Sequence, residues 1–405
     1  MQLTDGYSVR VLNTPFSPDP DRPADFGPQW NSLLPGGASA NPFLRFEYLA
    51  ALHHSGSATP ATGWSPHAIT LWQGQQLCAA CMVYVKTHSY GEYVFDHAWA
   101  NAYAQHGLAY YPKALVAVPF TPVPGPRLLA VDKPARQALV RATVEWCEQK
   151  GLSSLHLLFT DEDSTEACDN AELMLRHTVQ FHWTNENFEN LEAFLASLNQ
   201  EKRKKIRQER RKVAEAGVVF RSSQGPHITA ADWDFFYRCY ERTYLEHSNA
   251  PYLTREFFAR LATTAPENWL LFTAERDGRP IATSLIAIGQ PNTSTSASSD
   301  AESAPRVAYG RYWGALERVD CLHFEACYYQ PLAWCIAQGY HRFEGGAQGE
   351  HKMARALLPV KTYSAHWLAH PAFADAVQNF LEREGQGIEN YLTSLEQRSP
   401  LRATS

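Results

Sequence analysis

The chain has 405 residues, 45% hydrophobic and 19% charged, which is globular composition and excludes a disordered chain. At roughly 150 residues per domain, the length predicts two or three domains. Thirty-six Lys and Arg against 42 Asp and Glu give a net charge of −6, which argues against a protein coated in nucleic acid but leaves room for a local basic site.

The segment Met1 to Arg10 has neither the basic start nor the apolar core of a secretory signal, and no apolar run approaches the ~18 residues of a membrane span. Eight scattered cysteines are too sparse for a disulfide scaffold, so reduced thiols and a cytoplasmic location are expected. Cys78-Ala79-Ala80-Cys81 matches C-x-x-C, but it sits inside the apolar run Leu77 to Val85 and no second pair completes a zinc site. It reads as buried strand.

Residues 1–40 are rich in Pro, Gly and Asp without a period and read as an irregular lead-in. Residues 67–86 predict a hairpin around Gly74, and 114–119 a strand. A helix follows, with Asp132 as cap, Pro134 in its first turn and Gly151 as its stop, and then a strand at 155–159. Residues 188–198 carry apolar side chains at amphipathic spacing. The basic helix 201–216 comes next, followed by helices near 230–246 and 254–263, each opened by a Thr cap. Trp269–Glu275, Asp277-Gly278 and Pro280–Ile288 predict a second hairpin. Residues 291–304, half of them Ser or Thr, read as a surface loop. A strand at 307–312, a helix at 321–339 and a strand at 340–344 complete the series. Hairpin, strand, helix, strand thus occurs twice, which points to duplication of one α/β unit.

The loudest charge feature is the stretch 201–212. It holds Lys202, Arg203, Lys204, Lys205, Arg207, Arg210, Arg211 and Lys212 against only Glu201 and Glu209. Like charges at this density repel, and an anionic partner such as phosphate would relieve the cost. Gly310-Arg311-Tyr312-Trp313-Gly314, His323-Phe324-Glu325 and Cys327-Tyr328-Tyr329-Gln330 form polar-aromatic clusters suited to lining a pocket, with His or Glu as base and Tyr as acid. Glu344-Gly345-Gly346-Ala347-Gln348-Gly349-Glu350-His351-Lys352 follows a strand. Its glycines allow close backbone approach and its ionisable groups supply charge or proton transfer. In the first half, the islands holding Lys86 and His88, Lys113, and Arg127 offer cations beside prolines and could hold an anion. No Walker, G-x-S-x-G or H-E-x-x-H motif is present, and no histidine pair has ligand spacing beside a third ligand, so no metal is expected.

Together, the islands at Asn41-Pro42-Phe43, Lys86 to Glu92, Tyr110 to Lys113, Pro119 to Pro122, Gly310 to Gly314, His323 to Glu325 and Gly345 to Lys352 resemble the FemAB-like family of bacterial N-acyltransferases. The resemblance implies two tandem GNAT-like domains, each a mixed, mostly antiparallel sheet flanked by helices. Placed on the chain, these are 41–177 and 178–370, with a C-terminal helix and tail over 371–405. It also implies transfer of an aminoacyl group from aminoacyl-tRNA to an amine of a peptidoglycan precursor, with no metal. Lys352 resembles the lysine of the family's late Phe-Lys pair, with His351 in place of Phe. Arg203, Lys204 and Arg207 fall where a basic helix would be, and Glu344 resembles the acidic residue before a Gly-Gly turn. Arg355-Ala356-Leu357 departs from the Arg-Gly-Phe expected after the lysine.

Two readings stay open. In the first the protein is an N-acyltransferase in which Lys352 stabilises charge, the base is Glu344, Glu350, His351 or Glu325, and the basic helix holds phosphate. Its donor would be aminoacyl-tRNA or an acyl-CoA, with no tightly bound cofactor. Arg342-x-x-Gly345-x-Ala347 and Arg311-x-x-Gly314-x-Leu316 are the two imperfect matches to the acetyl-CoA loop. In the second the protein is a non-catalytic module that binds RNA or a nucleotide sugar.

Overall fold

The computed structural model describes residues 6–17, 22–37, 41–289, 305–347 and 349–402. The chain divides into two compact units, the first comprising Met1–Ala38, Phe43–Thr178 and Lys361–Tyr391, the second Ser39–Pro42, Val179–Val360 and Leu392–Ser405.

In chain order the first unit holds β1 (Ser8–Leu12), α1 (Phe26–Ser32), α2 (Phe46–His54), β2 (Trp64–Gln73), β3 (Gln76–Lys86), α3 (His97–Gln105), β4 (Lys113–Val116), β5 (Leu129–Ala130), α4 (Lys133–Gln149), β6 (Ser154–Thr160) and α5 (Glu162–Asp169). β7 (Met174–Thr184) leads into the second unit. There α6 (Leu191–Ser197), α7 (Gln200–Glu215), β8 (Val218–Gln224), α8 (Ala230–Leu245), α9 (Arg255–Thr264), β9 (Trp269–Arg276), β10 (Arg279–Ile288), β11 (Val307–Ala315), α10 (Leu322–Phe324), a π-turn (Glu325–Tyr329), α11 (Gln330–Ala337) and β12 (Arg342–Ala347) follow. A 3-10 turn over Glu350–Arg355 precedes β13 (Leu358–Leu368), and α12 (Pro371–Glu396) ends the chain's regular structure.

Local chemistry accounts for most of these elements. Asp132 caps α4 by accepting from the Ala135 N–H at 2.8 Å, and Asn190, Asn199, Thr229 and Thr254 cap α6, α7, α8 and α9 in the same way. The β9–β10 turn places both Asp277 and Gly278 at positive φ, the backbone a two-residue hairpin requires. Cys78 and Cys81 lie buried on β3. α4 seats Ala135, Leu139, Ala142 and Trp146 on the apolar face made by Ile69, Leu71, Val83, Leu155 and Leu157.

Each unit repeats one strand order. In the first it is β1-β2-β3-β4-β6-β13, and in the second β8-β9-β10-β11-β12-β7. In both, a hairpin pairs antiparallel with the next strand, which pairs parallel with the strand beyond its helix. The sixth strand is antiparallel in both. The repeated α/β unit read from the sequence is thus present in the strand order.

One expectation needs correction and another gains a detail. The lead-in contains β1, which pairs Ser8 to Leu12 with Trp72 to Ala68, and α1, whose Phe26 and Trp30 are buried. β1 is five residues long and mostly half-buried, so it carries little periodicity of its own. The helix expected over 321–339 is continuous from Leu322 to Ala337 but carries a π-turn in its middle. Pro331 has no N–H to give, and Gln330 N–H reaches back five residues to the Glu325 carbonyl, which produces the π-turn. The Ser/Thr-rich stretch 291–304 lies outside the described residues.

Candidate active site

In the second unit, β11 and β12 pair in parallel only from Val307–Arg342 to Tyr309–Glu344. Just past the last rung both strands turn irregular. β11 bulges against β10 at Arg311, and the β12 register with β7 shifts between Glu344 and Ala347. Glycines stand at 310, 345 and 346. A Cβ on Gly310 would lie 2.8 Å from the Phe343 ring, and one on Gly345 would meet Leu357 at 2.5 Å and Lys352 Cδ at 3.3 Å. The glycines thus let Phe343 and the Lys352 side chain cross the strands.

A cavity of about 120 Å³ opens there, bordered by Ser284, Arg311, Trp313, His323, Cys327, Tyr328 and Gly345. Beside it, Lys352 on the 3-10 turn donates from Nζ to the Gly346 carbonyl at 3.0 Å. Burial pushes its ammonium down to about 8. The Arg311 guanidinium adds to this and the Cys327 thiol opposes it. The His323 ring stands edge-on to Trp313 and Tyr328, with centroids 5.4 and 5.8 Å away. Burial, then the nearby His351, Arg355 and Lys352, bring it down to about 4, so it is neutral near pH 7. Burial holds the Cys327 thiol up at about 12, too high to act as a thiolate. His351 Nε2 lies 3.3 Å from the Tyr328 hydroxyl, and burial again lowers its basicity.

The other acidic candidates do not face this cavity. Glu344 precedes Gly345 on the strand and leaves the sheet on the opposite face, level with Tyr309 and His182. Arg342 Nη2 lies 2.9 Å from its Oε1, yet neither carboxylate oxygen accepts a well-aligned hydrogen bond among the described residues. Glu325 is bound by Arg210 Nε at 3.2 Å and Gln330 Nε2 at 2.8 Å. Glu350 is exposed and pairs with Arg398 at 3.3 Å. Tyr312 borders the cavity while its ring packs among Phe236, Tyr240 and Phe258. Gln348 lies outside the described residues.

The basic stretch is α7. Its buried face is Ile206, Glu209 and Val213; Lys204, Lys205, Arg207, Arg211 and Lys212 are exposed and Arg203 half-buried. Arg207 pairs with Glu192 at 2.5 Å and Arg211 with Glu215 at 3.6 Å. Arg203, Lys204, Lys205 and Lys212 make no ion pair among the described residues.

A family model described as peptidoglycan biosynthesis/recognition, FemAB-like, matches residues 27–403. The chain belongs to the FemAB-like family. No curated protein sequence matches it. Among solved structures it is similar to FemX at 9% identity and a TM-score of 0.51, over 87% of this chain and 98% of that one. It is also similar to L-PGS from Bacillus licheniformis, at 10% identity and a TM-score of 0.48 over 85% and 98% of the two chains. A tandem GNAT protein from the clavulanic acid biosynthesis pathway matches at 10% identity and a TM-score of 0.42, over 90% and 99%. The tandem GNAT-like fold expected from the sequence is the fold found. No helix among the described residues is long and apolar enough to cross a membrane.

Neither acetyl-CoA loop match forms a loop in this FemAB-like chain. Arg311 to Ala315 lie on β11, and a Cβ on Gly314 would lie 1.9 Å from the Cys239 carbonyl oxygen, so that glycine serves packing against α8. Arg342 to Ala347 are β12 itself.

Of the first-unit residues expected to hold an anion, Lys86, Lys113 and Arg127 are sealed in instead. Lys113 is fully buried and paired with Glu92 at 2.7 Å and with Asp96. Lys86 is fully buried above the Trp64 ring at 3.4 Å, and burial lowers it to about 7 against the pull of Glu92. Arg127 spends its donors on the carbonyls of Leu158, Gly125 and Val123. His88 Nε2 bonds to the Thr62 carbonyl.

The sequence assigned no role to Glu209, Arg355 or Ser284. Two signals were there: Arg355 stands where the resemblance expects an arginine after the lysine, and Glu209 is a glutamate on the apolar face of α7 between Ile206 and Val213.

Proposed function

We propose that this FemAB-like protein is an N-acyltransferase that moves an aminoacyl group from aminoacyl-tRNA to an amine of a peptidoglycan-type acceptor. The observation that carries the reading is the buried Lys352 ammonium beside the cavity where the β11–β12 ladder ends. The acceptor nitrogen attacks the donor's ester carbonyl, the C–N bond forms, and the C–O bond to the ribose breaks. Negative charge gathers on the carbonyl oxygen, and a buried cation stabilises it more strongly than an exposed one would. The amine must lose a proton. His323, neutral and lining the cavity, takes that proton and returns it to the departing ribose oxygen, which leaves as a hydroxyl.

The outward cations of α7 supply a surface for the donor's phosphates. The family description supports the peptidoglycan class of acceptor. An acyl-CoA donor is less well supported, because neither sequence match makes a loop opening a helix.

The test is transfer of a radiolabelled amino acid from charged tRNA to a peptidoglycan-precursor amine. Lys352→Ala should cost about 10²–10³ in rate, the scale of losing one oxyanion partner. Full activity in that variant, or retention of acetyl-CoA but not tRNA in native mass spectrometry, overturns the reading. Binding of tRNA without turnover in any acceptor screen would favour the binding module.

A further inference from the structure

We propose that Glu209 and Arg355 are positioning residues that mount the turn carrying Lys352 directly on the basic helix α7, so that the donor-holding face and the charge-stabilising lysine share one rigid support. This deepens the acyltransferase reading and rests on it.

α7 buries Ile206, Glu209 and Val213, and so sets a carboxylate where the helical pattern asks for an apolar residue. That carboxylate receives Arg355 Nη2 at 2.9 and 3.1 Å and the Tyr329 hydroxyl. The two side chains are 10% and 3% exposed. Arg355 has further duties. Its Nη1 donates to the His351 carbonyl at 2.9 Å, and its guanidinium lies 3.5 Å above the Phe324 ring. His351 immediately precedes Lys352, and the Lys352 N–H closes the same turn onto the Gly349 carbonyl at 3.0 Å.

One planar guanidinium therefore touches three things: the inner face of α7, α10 at its last residue Phe324, and the peptide leading into Lys352. Packing alone does not require this. A buried ion pair is weak evidence for stability, because apolar residues of similar volume often serve as well or better. What an apolar pair cannot do is hold a carbonyl in one direction, whereas the five donors of an arginine are a rigid fork. Meanwhile the helix that supplies Glu209 points Lys204, Arg207 and Arg211 outward.

The experiment uses the full-length protein and two readouts. The first needs no substrate: reductive methylation of Lys352, followed by mass spectrometry across pH 6–11. The second is single-turnover transfer from charged tRNA, beside the tRNA dissociation constant. The variants are Arg355→Met with Glu209→Leu, an apolar pair that keeps the packing, and Arg355→Lys, which keeps a charge without the fork. In the double variant the Lys352 labelling midpoint should rise by at least one pH unit toward the ordinary lysine value of ~10.4. Transfer should fall tenfold or more while tRNA affinity stays within twofold. Arg355→Lys should show the same changes at smaller size. An unchanged labelling midpoint in both variants overturns the proposal, and so does a loss of transfer accounted for entirely by weaker tRNA binding. If Lys352→Ala keeps full transfer, the acyltransferase role of Lys352 falls, yet the labelling shift still decides whether Glu209 and Arg355 position it.

Discussion

The Lys352 ammonium donates to the Gly346 carbonyl at 3.0 Å, and its aliphatic chain crosses Gly345 close enough that a Cβ there would sit 3.3 Å from Cδ. The lysine is thus held by backbone at its tip and given room by a missing side chain along its length. Gly345→Ala should push against Leu357 and Lys352 together, destabilising the second unit by about 1–3 kcal/mol. Transfer should fall with it while tRNA binding persists. Urea melts beside filter binding check this.

The pH profile follows from two shifts. Burial, with Arg311, brings Lys352 to about 8, so its cation is lost and transfer should decline as pH rises through about 8. Burial brings His323 to about 4, so it stays an available base until pH falls through about 4. The kcat/KM profile should therefore be broad, with limbs near those values. Lys352→Arg should lose the alkaline limb, since a guanidinium stays charged. His323→Ala should cost about 10²–10⁴ in rate, the usual share of a general base.

Neutralising Arg203, Lys204 and Arg207 together should weaken tRNA binding and flatten its dependence on salt, by close to one unit of slope for each phosphate left without its cation. Fluorescence anisotropy over 50–300 mM salt measures this. An unchanged slope would remove α7 from the donor surface.

Lys113 neutralises two carboxylates inside the first unit. Lys113→Met leaves both buried without their cation, and should cost about 3–5 kcal/mol. Glu92 adds a pH signature. Burial, opposed by Lys113, raises its carboxyl from 4.5 to about 7. The folded state therefore binds the extra proton between those values, and this contribution to stability is present below 4.5 and is lost as pH rises through about 7. Glu92→Gln should remove that slope from stability measured between pH 4.5 and 8.

Much of this was legible in the chain. The hairpins, the capped α4 and the repeated order of elements follow from short-range rules: alternation, a turn dipeptide, an Asp before a helix. Lys352 and His323 were singled out because polar residues after a strand or on an aromatic helix have few packing reasons to be there. Sequence could not say that Glu344, one residue from Gly345, leaves on the other face, nor that Glu325 is taken by Arg210. Those outcomes turn on a strand's parity and on a partner 115 residues away. Lys86, Lys113 and Arg127 looked like anion ligands because charge was visible and burial was not.

The sequence alone determined the two hairpins, the capped helices, the repeated order of elements and the basic helix, because each is written in contacts a few residues apart. Only the tertiary structure decided which strand completes each unit's strand order: β13, which follows the second copy, pairs with β6, and β7, which follows the first, pairs with β12. It alone also placed Arg355 between α7 and the lysine turn. Such pairings join residues far apart in the chain, and their energy depends on burial and register that no local pattern records.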